Sequence, residues 1–219
     1  MTSPSPPSSS RNPAALAEAQ SASEMFDVMR PPGSSFNIYE DKGVSTGTTK
    51  PRGEVHRDGD WHRSVHVWLI DVERQLVALQ RRSPNKDTFP DRLDISAAGH
   101  IEAGGDSRET AARELAEELG VVVRDPDELR FAFTVPAEQS GWGGCNCFED
   151  VYVLPVDSSA TRFAVGEAEV TDASWVPTAA LEEMLRGKDP SVVPRVPAYV
   201  DAFFHLLETE YSYERPAPA

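Results

Sequence analysis

Apolar runs broken by short polar turns fill the middle of the chain from about Phe36 onward. Ser64 to Asp71 (SVHVWLID) is apolar on both alternating sets of positions, which predicts a strand buried on both faces. Gln75 to Gln80 predicts its neighbour, with Asp71 to Arg74 around the turn between them. Leu93 to Ala98 leads into Gly99, and the period then lengthens. Apolar positions from Ser107 to Leu119 recur at helical spacing, and Gly120 suits the left-handed residue just past a helix end. Val121 to Val123, Leu129 to Val135 and Val151 to Val156 predict further strands. Ser174-Trp175-Val176-Pro177 introduces a second helix through about Arg186, and Val196 to Leu207 reads as a third. Strands interleaved with a few helices predict an α/β (α+β) fold, a mixed sheet with helices on its faces.

The two ends break this pattern. Residues 1–24 are rich in Ser, Pro and Ala, with Arg11, Glu18 and Glu24 the charged positions. Such a segment buries too little apolar surface to offset its ordering entropy, so it is expected to be a disordered tail. The folded domain is expected over 25–210, with a flexible C-terminus over 211–219. The tail has no apolar core of secretory type. Its Ser-rich, acid-poor composition leaves organelle import as a second reading beside a cytoplasmic location, though it carries little Arg. A hydrophobic fraction of 39% agrees with a chain that is partly unpacked.

Charge narrows the partners. Lys and Arg total 21 against 36 Asp and Glu, a net charge of −15. That argues against nucleic acid held on a general basic surface and against anionic membranes, but not against a local basic pocket for a small phosphorylated substrate. No apolar run reaches the length of a membrane span. Cys145 and Cys147 are the only cysteines, too close for an unstrained disulfide and by themselves too few for a zinc cage. Two reduced thiols beside a strand fit a reducing compartment.

The segment Gly99 to Val121, GHIEAGGDSRETAARELAEELGV, carries the chemistry. On a helix, Glu114, Glu117 and Glu118 fall within an arc of about 100°, beside the stripe formed by Ala111, Ala112, Leu115 and Leu119. One face packs and the adjacent face presents three carboxylates. Like charges at this spacing repel. A hard divalent cation, Mg²⁺ or Mn²⁺, would relieve that repulsion, and the Gly-rich loop can bring a backbone carbonyl such as that of Ala98 to the same ion. From the three glutamates alone, a solvated acidic face is the simpler reading.

The wider string reverses that preference. Gly99, then Arg113-Glu114-Leu115-x-Glu117-Glu118-x-Gly120-Val121, resembles the signature of the Nudix hydrolase superfamily. The resemblance implies a Nudix-type α/β/α sandwich and Mg²⁺-dependent hydrolysis of a diphosphate linkage. In one place the chain departs from the signature: its first Glu falls on Gly105, with Asp106 beside it as a partial substitute.

Glu54 to Arg57, His62 to Trp68, Gln80 to Ser83, Lys86 to Pro90, Leu93 to His100 and Asp150 to Val153 look similar to the branch related to isopentenyl-diphosphate isomerase. That likeness implies a diphosphate grip from Arg81, Arg82 and Lys86, with Arg52 added. It also implies a possible second metal at His56, His62, His100 and Glu149, with another acidic ligand of the isomerases falling on Cys147. His66 and His205 read as structural. Where the isomerases carry a proton-transferring cysteine, this chain has Ala98, and where they lack the first helix carboxylate it has Glu114. Both departures favour hydrolysis, with Glu117, Glu118, Arg113 and Glu149 as the catalytic set. Arg113 orients the carboxylates, and a helix carboxylate or Glu149 serves as general base. An isomerase-like enzyme and a catalytically weak nucleotide-binding module are the rival readings.

Overall fold

The structure, a computed structural model, describes residues 24–215 apart from Asp87 and Glu167. The expected disordered tail lies outside the described residues except for Glu24.

Alternation along the central strands divides their side chains between two cores. β3 (His62–Asp71) sends Val65, Val67 and Leu69 to one face and Trp68 and Ile70 to the other. β8 (Asn146–Pro155) sends Tyr152 and Leu154 to the first face and Val151 and Val153 to the second. β3 and β8 pair in parallel at the centre of the sheet. Around them, β4 (Leu76–Arg82), β5 (Leu93–Asp94), β6 (Ala97–His100), β7 (Arg130–Glu138) and β9 (Val170–Pro177) add antiparallel, in the order β5-β4-β3-β8-β7 with β6 on β3 and β9 on β4. Helix α2 (Ser107–Leu119) lays Ala111, Leu115 and Leu119 on the first face. On the second face lie α3 (Thr178–Gly187), through Leu181, and α4 (Pro197–Glu210), through Tyr199, Phe203 and Phe204. The result is a mixed sheet between two helical layers, as the sequence predicted.

Several elements differ from expectation. Val121 to Val123 form no strand: Val121 and Val123 pack inward while Val122 is exposed, so alternation there reflects a connector lying along the core. Ser174 to Pro177 are the end of β9, a strand the sequence reading did not foresee, and they lead directly into the expected helix. Before the main sheet, β1 (Met25–Met29) and β2 (Ser45–Pro51) form a separate antiparallel pair, followed by the short helix α1 (Arg52–Asp58). Residues 211–215, expected to be flexible, are packed in part. Tyr213 is buried against Phe204 and donates to Glu182 Oε2 at 3.0 Å.

Candidate active site

Helix α2 is anchored at both ends. The Asp106 side chain accepts from the backbone N–H groups of Arg108 and Glu109, at 2.8 and 3.0 Å. Asp106 is therefore the helix cap, two turns from Glu114, and does not stand in for the missing signature glutamate at Gly105. Ser107 Oγ donates to the buried Asp150 at 2.6 Å, and Asp150 also accepts from Thr134 Oγ1 at 2.6 Å and pairs with Arg63. At the far end Gly120 takes the left-handed conformation, φ 67°, and closes the helix onto Ala116 and Leu115.

The carboxylates face strand β6. Its register against β3 pairs His66 with Ala98 and Ser64 with His100, and Ile101 donates to the Arg63 carbonyl. These are consequently the wide pairs of the ladder, and the N–H and C=O of Ala98 point away from β3. The N–H meets Glu118 Oε2 at 2.9 Å, and Gln80 Nε2 donates to the same oxygen at 2.8 Å. Glu118 Oε1 is buried without a hydrogen-bond partner. Glu114 lies so close to Gly99 that a Cβ there would sit 2.1 Å from its carboxyl group, which gives the signature glycine its reason. Arg113 bridges Glu114 Oε1 and Glu117 Oε2, each at 2.8 Å, and Glu117 itself is exposed.

Burial sets the electrostatics. It pushes Glu114 up to about 8, helped by the charge on Glu118 and opposed by Arg113. It pushes Glu118 up to about 7, opposed by Lys86, the Ala98 N–H and Gln80. A fourth carboxylate, Glu169 just before β9, adds its field to both and ion-pairs with Lys86. For Glu169 itself burial is outweighed by Lys86, Arg52 and Arg82, and its carboxyl is held below the usual range. Nothing in the sequence pattern singled out Glu169, whose loop carries no periodic signal.

The expected cations separate. Lys86 Nζ sits at the cluster, 3.8 Å from Glu118 Oε1. Arg52 pairs with Glu24 at 2.8 Å and lies 3.4 Å from His100 Nδ1. Arg82 is committed within the fold: it donates to the Thr88 carbonyl and to Asp94 at 3.0 Å, which corrects its assignment as a free diphosphate ligand. Arg81 holds the Asp91 carbonyl at 2.8 Å and is exposed.

Glu149 projects with Val151 toward the α4 side of the sheet. It accepts from Gln139 at 3.1 Å and lies 3.7 Å from His66 Nε2 and 3.8 Å from Arg195 Nη1. Burial pushes it up to about 8. It is not a member of the histidine cluster to which the sequence assigned it. His56, His62 and His100 do converge, and the donor that joins them is Cys145. His66, read as structural, is buried against the Tyr199 hydroxyl at 3.2 Å.

A mixed sheet between helical layers, with a Gly-led carboxylate helix against its β6 edge, is the architecture of the Nudix class. Residues 60–196 match the NUDIX domain family, and the chain belongs to it. It is 42% identical over 165 residues to Nudix hydrolase 3 of Arabidopsis thaliana, covering 73% of this chain but 21% of that protein. An uncharacterised Nudix hydrolase of Listeria monocytogenes is 32% identical, covering 68% of this chain and 83% of its own length. A prenyl-diphosphate phosphatase of Methanosarcina mazei is 27% identical, over 66% of this chain and 81% of its own. The chain thus spans about a fifth of the Arabidopsis thaliana protein and about four fifths of the two smaller relatives. In structure it resembles a Deinococcus radiodurans protein, DR0079, with a TM-score of 0.54 at 19% identity, covering 81% of this chain and 98% of that one. Among the described residues no helix is long and apolar enough to cross a membrane.

Proposed function

We propose that this chain hydrolyses a diphosphate linkage in a small substrate, using Mg²⁺ or Mn²⁺ held by Glu114, Glu117, Glu118 and the Ala98 carbonyl. The observation that carries the reading is the burial of Glu114 and Glu118 side by side, with one oxygen of Glu118 lacking any hydrogen-bond donor. Two buried carboxylates so placed need a proton or a cation, and an all-oxygen donor set fits a hard dication. Such an ion, when bound, neutralises diphosphate oxygens and acidifies a coordinated water.

The chain's own groups prepare that chemistry. Ala98 and Gln80 fix one oxygen of Glu118, leaving the other for the ion. Arg113 holds Glu114 and Glu117 in register. Lys86, already at the cluster, exchanges Glu169 for the substrate's diphosphate, with Arg52 and Arg81 as further cations at its margin. The general base is a carboxylate on the α2 side, Glu117 or Glu169, because Glu149 is held by Gln139, His66 and Arg195.

Nucleoside diphosphates and nucleotide-linked diphosphates are the first substrate class to test. The likeness to a prenyl-diphosphate phosphatase adds prenyl diphosphates as the second. Isomerisation of isopentenyl diphosphate is not expected, since Ala98 has no proton to offer where the isomerases place a thiol. The test is a panel of both classes with Mg²⁺ or Mn²⁺, measuring phosphate release and allylic product together. Phosphate release without allylic product supports the reading. Allylic product above the uncatalysed background overturns it in favour of the isomerase.

A further inference from the structure

Glu149, His66 and Arg195 are buried charged or polar groups for which the hydrolytic reading has no use. They lie on the α4 side of the sheet, one strand away from the carboxylates of α2. Register sets the distance between the two places. His66 of β3 stands opposite Ala98 of β6, and Glu149 of β8 stands opposite Ser64, one pleat along from His66. Ala98 therefore belongs to both sides. Its N–H meets Glu118, while its methyl group packs against the core of the α4 side.

Each member of the trio is fixed from behind. Trp68 Nε1, which can only donate, gives its proton to the Tyr199 hydroxyl at 2.8 Å. The Tyr199 proton is then directed to His66 Nδ1 at 3.2 Å, so His66 carries its own proton on Nε2. Arg195 is anchored by Asp94, which Arg82 also holds at 3.0 Å. Glu149 Oε1 accepts from Gln139 Nε2 at 3.1 Å, and Glu149 Oε2 is buried with no hydrogen-bond donor.

Facing one another, the three do not bond. His66 Nε2 is 3.7 Å and Arg195 Nη1 3.8 Å from Glu149 Oε1. Contacts of that length exceed a hydrogen bond, and one hydroxyl oxygen at about 2.8 Å from each side bridges them. The donor count fits as well. A hydroxyl donates one proton and accepts two, and here one acceptor, the carboxylate of Glu149, faces two N–H donors.

We infer that Glu149, His66 and Arg195 form a subsite for a hydroxyl group on the organic part of the substrate, so that the chain favours diphosphates linked to a sugar over those linked to a hydrocarbon chain. The inference rests on the diphosphate reading for its anchor at the α2 carboxylates, and it makes the organic part cross β6 at Ala98. A hydrocarbon chain there would leave Glu149 and Arg195 without partners, which costs more than its own burial returns.

The test compares the four ribonucleoside diphosphates with their 2′,3′-dideoxy counterparts and with isopentenyl diphosphate. Affinity is measured by calorimetry with Ca²⁺ in place of Mg²⁺, and phosphate release is measured with Mg²⁺. At least one ribonucleoside diphosphate is expected to bind about tenfold or more tighter than its dideoxy form, the scale of one hydrogen bond to a charged group. Glu149→Leu should bring the two affinities to within about threefold, and Glu149→Gln, which keeps the shape, should leave an intermediate ratio. Equal affinities for the hydroxyl and dideoxy forms overturn the inference, as does a wild-type ratio retained in both variants. Isopentenyl diphosphate bound and hydrolysed while no ribonucleoside diphosphate binds also overturns it, and leaves diphosphate hydrolysis standing. The expected affinity ratios without phosphate release from any compound would remove the hydrolytic reading and keep the subsite.

Discussion

Glu118 is buried at a position where ionisation is disfavoured and a partner cation makes the charge tolerable. Replacing it with Gln keeps the shape and removes the charge. Glu118→Gln is expected to lower metal-dependent turnover by at least about a hundredfold, the scale on which a group stabilising transition-state charge acts. It is also expected to raise the metal-free melting temperature at pH 8, because one buried carboxylate fewer then needs ionising. Steady-state assays and thermal melts check the two together, and an inactive variant with unchanged or lower metal-free stability would contradict the burial argument. Gly99 makes the opposite kind of prediction. A Cβ at Gly99 would meet the Glu114 carboxyl, the movable end of a side chain, so Gly99→Ala should fold while displacing a metal ligand. The expected outcome is a melting temperature close to wild type and a raised Mg²⁺ concentration for half-maximal activity.

Helix α2 was the most legible element, because periodicity, the C-terminal glycine and the signature all agree over Ser107–Leu119. Its cap gives a prediction of its own. Asp106→Ala should cost about 1 kcal/mol, or roughly 2–4 °C for a domain of this size, with turnover retained at room temperature. A loss of activity far beyond the loss of stability would return Asp106 to the signature role that Gly105 leaves open. β3, β4 and the second half of β8 were also legible, being buried on both faces, whereas the largely exposed β9 was not. The hairpin of β1 and β2 was not, because β2 is exposed along most of its length and has no apolar alternation to read. Likewise the sequence brought three histidines together by resemblance but supplied Glu149 as their partner. Glu149 shares a face of β8 with Cys147 but stands further along the strand, against Gln139, His66 and Arg195, and the residue that joins the three histidines is Cys145, just before the strand. Arg82 was misread for a related reason: a cation beside a loop can hold the loop as readily as a ligand.

At the scale of the whole molecule, the raised carboxylates make stability depend on pH. Glu114 near 8 and Glu118 near 7 stand above the ordinary value of 4.5, with Glu149 near 8 beside them. Between about pH 4.5 and 8 the folded chain therefore holds protons that the unfolded chain has released, and metal-free stability falls as pH rises through that window. Aspartates held low, such as Asp94 and Asp106, act below it, where falling pH removes their contribution. A hard dication binds the ionised forms, so the stabilisation it gives should grow with pH. Melting curves with and without Mg²⁺ at pH 5.5 and 8.5 should show a small difference at the first and a larger one at the second. Equal differences at both would contradict burial as the cause.

The central claim, attack of water on a diphosphate at the α2 carboxylates, is tested most directly by hydrolysis in ¹⁸O-labelled water. The substrate is the diphosphate with the greatest turnover in the panel, and wild type is compared with Glu118→Gln. The expected result is one labelled oxygen in a phosphate product, released in step with substrate loss by wild type and nearly absent with the variant. Substrate loss without label in any phosphate product, or label released equally by both proteins, would contradict it.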